Sequence, residues 1–173
     1  MNEIDIRTFI DTPSTRAFDL RWSFQVYVED CPNFRWTTKN IWACALPTSP
    51  EGYKRLVELG AKTRINLTTT GDDRNECEAV GLSYIPWPIS QFIPAPWADL
   101  DPLVTMLDDE SLWPVVIGCR KASDRTGIIL ARYRMKHGWT KTEALWEMAL
   151  NLNPDLRIGE LLPGIRERIE ELT

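Results

Sequence analysis

Residues 119–127 read Cys119-Arg120-Lys121-Ala122-Ser123-Asp124-Arg125-Thr126-Gly127, a cysteine with an arginine six positions on. The β-branched run Pro114-Val115-Val116-Ile117-Gly118 precedes this segment, and a helical pattern from Ile128 to Lys136 follows it. A loop of that length, between the carboxyl end of a strand and a helix N-terminus, can turn successive backbone N–H groups inward as an anion nest. The helix dipole adds partial positive charge. Cys119 is placed there to act as a thiolate nucleophile. Arg125 can hold two equatorial oxygens of a phosphoryl group in a fork, and Thr126 can hydrogen-bond the sulfur and help it leave a thiophosphate intermediate. Arg120 and Lys121 point outward around the pocket mouth and favour a substrate carrying several phosphates, unless they bind acids of the protein's own surface. A bare cysteine, five residues, arginine match arises by chance in roughly a fifth of chains with four cysteines. Cys31, Cys44 and Cys77 have Thr37, Pro50 and Ser83 at the same offset, so the single match falls where strand, loop and helix also coincide.

The elements that must position this loop alternate along the chain. Trp22, Phe24, Val26 and Val28 carry the period-2 pattern of a half-buried strand, and a second short strand is expected at residues 40–45. Ser49-Pro50-Glu51 opens a helix as N-cap, first-turn proline and early acid, with Gly60 as its stop. Strands at 62–68 and 82–87 bracket a short helix at 73–80. Four prolines in residues 86–96 make that segment an irregular, apolar loop. A helix beginning near Ala98 or Asp101 and ending at Asp109 leads to the buried strand at Val115. Thr140 and Glu143 form a capping box for another helix, and the chain reads as helical to its end, broken at Pro154 and Pro163-Gly164. The implied fold is α/β, a central mostly parallel sheet of four to five strands flanked by helices, with ligands at the strands' carboxyl ends. Residues 1–30 read as an N-terminal extension with a strand, and residues 31–173 as a single domain.

The 173 residues carry 20 Lys and Arg against 25 Asp and Glu, a net charge of −5, which disfavours a broad nucleic-acid face and leaves room only for a local anion site. No apolar run reaches the length of a membrane span, and the acidic first residues do not resemble a secretory signal, so the expected location is cytoplasmic. Four cysteines without Cys-x-x-Cys spacing, and a single histidine, His137, give neither a disulfide framework nor a zinc site. His137 at a helix end reads as a dipole complement, and Cys44 and Cys77 as buried apolar residues. Trp87 and Trp97 flank the proline-rich loop, either packed beneath it or lining a lid.

The segment Cys119–Gly127 resembles the phosphate-binding loop of the cysteine-dependent protein tyrosine and dual-specificity phosphatases. Asn33-Phe34-Arg35-Trp36, Asn40-Ile41-Trp42, Leu46 to Tyr53, Leu59 to Leu67 and Gly81 to Tyr84 are similar to the upstream scaffold of the small atypical members found in bacteria, plants and fungi. The resemblance covers roughly residues 31–150 and implies a protein-tyrosine-phosphatase-like fold, with Cys119 as nucleophile, Arg125 as phosphate clamp and residues 120–124 (Arg120, Lys121, Ala122, Ser123, Asp124) as backbone cradle. The chain departs from the family pattern in three places. Gly118 stands where histidine is usual. Ala122 replaces the middle glycine, which is strained if that position needs positive φ. The upstream loop that usually bears a general-acid aspartate reads Trp87-Pro88-Ile89-Ser90-Gln91, without a carboxylate. Losing such an acid typically costs about 10²- to 10⁴-fold. Asp124 can replace it from the pocket rim or else brace the loop through a salt bridge, and Asp99 and Asp101 are second choices that also read as helix-start residues.

These readings converge on a phosphomonoester hydrolase working through a phosphocysteine, without metal or organic cofactor. Its substrate would be a phosphorylated small molecule, a lipid headgroup or a phosphoprotein, with inositol phosphates and phosphoinositides favoured by the cationic loop. The rival is a phosphate-binding protein that kept the nest and lost turnover. A rhodanese-like sulfur transferase also needs a strand-end cysteine, but the Arg-Thr-Gly ending and the upstream likeness disfavour it.

Overall fold

The computed structural model describes residues 24–90, 92–93 and 95–151. Most of the N-terminal extension and the helical stretch expected after Asn151 lie outside the described residues. In chain order the elements are β1 (Phe24–Gln25), β2 (Arg35–Trp36), β3 (Ile41–Ala43), α1 (Pro50–Glu58), β4 (Thr63–Asn66), α2 (Arg74–Ala79), β5 (Ser83–Pro86), α3 (Trp97–Met106), a 3-10 turn (Glu110–Leu112), β6 (Val115–Gly118), α4 (Asp124–Lys136) and α5 (Lys141–Leu150).

Val115, Val116 and Ile117 have no polar side chain to offer water, and β6 takes the middle of the sheet. The order is β1-β2-β3-β6-β4-β5. Strands β3, β6, β4 and β5 run parallel, in the register Ile41 and Thr63 opposite Val115, and Thr63 opposite Ser83. The mostly parallel α/β sheet is thus as expected, with six strands among the described residues in place of four to five. The strand not foreseen is β2, paired antiparallel with β1 and β3. Two residues are too short to show a period, and Arg35 interrupts an otherwise apolar run.

Alternation along β6 sorts side chains onto two cores. Val115, Ile117 and Cys119 face a cluster with Leu100, Leu103, Ile128, Ile129 and Met148 from α3, α4 and α5. Val116 faces Trp36, Trp42, Tyr53, Leu56 and Cys77 on the side of α1 and α2. Each such aliphatic burial contributes roughly 1.5–3 kcal/mol, opposed by chain entropy. Cys119 therefore lies on the same side of the sheet as the helix that follows it.

One helix start differs from expectation, and another forms at the expected residues without its cap bond. Helix α4 begins at Asp124, four residues before the apolar pattern becomes visible, because Asp124, Arg125 and Thr126 form a polar first turn in which an acid suits the dipole. Ser49 occupies the N-cap of α1 but makes no cap bond; its hydroxyl donates to Asp30 Oδ2 at 2.8 Å. The capping box of Thr140 and Glu143 forms as expected, and no helix among the described residues is long and apolar enough to cross a membrane.

Candidate active site

Residues 119–123 join the end of β6 to the start of α4. The backbone N–H of Cys119 donates to Thr126 Oγ1 at 2.9 Å, tying the first residue of the loop to the first turn of the helix. The Cys119 thiol donates to Asp124 Oδ1 at 3.6 Å. Arg125 is buried, and its Nη1 donates to the carbonyls of Ile89 at 3.3 Å and Leu67 at 3.5 Å, while its Nε has no partner among the described residues. One side chain thus spans from α4 to the end of β4 and to the proline-rich loop. Gly127 completes the turn: its N–H donates to Ser123 O, and a Cβ there would sit 2.8 Å from Met148 Cγ, so glycine lets α5 pack against this helix start.

Ala122 has φ +49°, a conformation that costs a residue with a Cβ roughly 1–2 kcal/mol. The loop therefore does require positive φ at this position. Its carbonyl is held from outside the loop, by Arg35 Nη1 at 2.8 Å and Asn33 Nδ2 at 3.4 Å, and Asn33 Nδ2 also donates to Lys121 O at 2.9 Å. Ser123 is buried, whereas Arg120 and Lys121 are exposed and form no ion pair among the described residues.

Glycine at 118 is enforced by its surroundings. A Cβ there would fall far inside van der Waals contact of the Cys44 carbonyl oxygen and 2.7 Å from Arg64 Nη1. Arg64 is fully buried, donates to Cys44 O at 3.1 Å and pairs through Nε with Asp73 at 3.2 Å. Asp73 also accepts from Tyr53 and Asn66, and burial together with this carboxylate pushes the Tyr53 phenol well up. The space beside residue 118 is thus filled by a buried charge network.

The structure brings together Cys119, Asp124, Arg125 and Thr126 on one junction, and Asp124 is the carboxylate in contact with the Cys119 thiol. Asp99 lies exposed in the first turn of α3, whose N-cap is Pro96, and Asp101 pairs with Arg132 at 3.2 Å. His137 caps α4 and meets Asp108 at 2.9 Å. Trp87 and Trp97 pack against the core, with Arg132 over the Trp97 ring. Sequence reasoning gave no role to Asn33, Arg35, Arg64 or Asp73. The available signal was polar residues set among apolar ones, as in Phe34-Arg35-Trp36 and Arg64-Ile65-Asn66.

No protein-family model matches the chain. Among solved structures it is similar to TpbA of P. aeruginosa, at TM-score 0.74 and 21% identity over 90% of this chain and 93% of that one; TpbA has also been solved with phosphotyrosine. It is similar to the catalytic core of the PP-IP phosphatase SIW14 of S. cerevisiae, solved with citrate, at TM-score 0.72 and 20% identity over 85% and 89%. A third similar structure, Tk-PTP in its active form, gives TM-score 0.66 and 17% identity over 82% and 96%. The fold is that of the cysteine-based protein tyrosine and dual-specificity phosphatases.

Proposed function

We propose that this protein is a cysteine-dependent phosphomonoester hydrolase. One observation carries the reading: the Cys119 thiol and the Asp124 carboxylate lie 3.6 Å apart where β6 meets α4, and the next residue, Arg125, is buried. The phosphoryl group sits in the cradle of residues 120–124 with two oxygens on Arg125. The thiol proton passes to Asp124; Sγ attacks phosphorus, the bond from phosphorus to the leaving oxygen breaks, and Asp124 gives that oxygen the proton. Water then attacks the phosphocysteine and loses a proton to Asp124, the P–S bond breaks, and the proton returns to sulfur. Inorganic phosphate leaves, and no step draws on a metal or organic cofactor.

Exposed Arg120 and Lys121 at the mouth favour substrates with several phosphates, inositol phosphates or phosphoinositide headgroups, over a lone phosphotyrosine. The likeness to a PP-IP phosphatase supports that class, and the likeness to a protein solved with phosphotyrosine supports phosphoester binding in general. All four cysteines are free, and a thiol nucleophile suits a reducing compartment such as the cytoplasm.

The test is phosphate release at pH 5 to 8, in chelator, from an aryl phosphate, a phosphotyrosine peptide and an inositol polyphosphate, for wild type, Cys119→Ser and Arg125→Ala. Turnover by wild type and its loss in both variants is the expected result. Release by wild type no greater than by Cys119→Ser on every substrate overturns the reading, and oxyanion binding that depends on Arg125 would then identify a binding protein.

A further inference from the structure

We propose that Arg35 is a positioning residue for the phosphate loop: from β2 it holds the left-handed turn at Ala122 and places a buried positive charge beneath the anion site. This rests on the phosphatase reading for its catalytic consequence, though not for its effect on anion binding.

Arg35 is 1% exposed, between Phe34 and Trp36, whose rings meet at 6.0 Å. Enclosing a guanidinium this way costs several kcal/mol unless something is gained from it. Its Nη1 donates to Ala122 O at 2.8 Å, while its buried Nε has no partner among the described residues. In a trans peptide the carbonyl of Ala122 and the N–H of Ser123 point in opposite directions. Drawing the carbonyl toward β2 therefore turns the Ser123 N–H away from β2. The same bond holds a φ of +49° that alanine does not favour.

Both oxygens of buried Glu147, on α5, are taken by Arg134, at 3.0 and 2.9 Å, while buried Arg35 forms no ion pair among the described residues. At the loop itself Arg120, Lys121 and Arg125 outnumber the one carboxylate, Asp124. Burial pushes the Arg35 guanidinium down to about 10, opposed by Glu147 and Cys119, so it stays protonated at neutral pH. A bound oxyanion supplies the missing negative charge.

The experiment compares wild type, Arg35→Met, Arg35→Gln and the double variant Arg35→Met with Ala122→Gly. It measures tungstate affinity by calorimetry, kcat and KM by phosphate release, and melting temperature. Arg35→Met is expected to weaken tungstate binding by about tenfold or more and to lower kcat as well as raise KM. Adding Ala122→Gly is expected to restore part of kcat, because glycine adopts positive φ unaided, and not to restore tungstate affinity, because the charge is still missing. Arg35→Gln, which keeps a donor for Ala122 O, carries the same comparison should the methionine variant fail to fold. A folded Arg35→Met or Arg35→Gln that binds tungstate and turns over within about threefold of wild type overturns the proposal. Wild type that binds tungstate but hydrolyses nothing overturns the phosphatase reading alone, and the tungstate affinities still decide the role of Arg35. Wild type that does not bind tungstate overturns both.

Discussion

The Sγ of Cys119 and the Oδ1 of Asp124 lie 3.6 Å apart, the first at the end of β6 and the second at the start of α4. A carboxylate at that distance can exchange a proton with the sulfur and, once a phosphoryl group is seated, with the leaving oxygen. Asp124→Asn is expected to lower kcat about 10²- to 10⁴-fold on alkyl phosphates and far less on aryl phosphates whose leaving group needs no proton. Steady-state kinetics on the two substrate types check this, and an equal loss on both would remove Asp124 from the acid role.

Replacing Gly118 by alanine forces a methyl into the space held by the Cys44 carbonyl and Arg64. The carbonyl is backbone and cannot rotate away, so the cost is expected at the upper end of the roughly 1–3 kcal/mol seen for overpacking, or beyond it. For a chain of this size that lowers the melting temperature by about 6 °C or more, measurable by calorimetry. Histidine at 118 is expected to prevent folding altogether.

At Ala122 two substitutions are expected to diverge. Glycine relieves the positive φ but loses a buried methyl and adds unfolded-state entropy, so stability changes by no more than about 1 kcal/mol. Valine adds a branched side chain to a left-handed backbone and is expected to cost about 2 kcal/mol or more. Denaturant titration of the two variants measures both effects.

Alkaline pH is expected to destabilise the protein through groups that stay protonated longer when folded. Burial, then the Asp73 charge, pushes the Cys77 thiol up to about 12; burial, then Asp108, does the same for the Tyr133 phenol, to about 12. With folded values above unfolded ones, their stabilisation is complete below the unfolded values, near 9 for the thiol and 10 for the phenol, and is lost as pH rises toward 12. Melting temperature against pH should fall above about pH 9, with a shallower alkaline limb in Cys77→Ala and Tyr133→Phe.

The local pattern of the chain was sufficient for the parallel strands β3 to β6, for α1 with its first-turn proline and for α5 with its capping box, because each is written in period, cap and stop within a dozen residues. It was also sufficient to place Cys119 in a strand-to-helix junction with Arg125 six positions on, because the flanking elements are local. It did not show β2, too short to carry a period, or the start of α4, whose polar first turn hides among loop residues.

The surroundings of the loop were decided only in three dimensions. That Ala122 needs positive φ, that Gly118 is forced by Cys44 and Arg64, and that Arg35 reaches a carbonyl 87 residues away all depend on contacts between segments distant in the chain. Sequence determines which groups are present and which local conformations are cheap. Tertiary packing determines which buried polar atoms must meet, because a charge or carbonyl withdrawn from water has to find its partner wherever the fold supplies one.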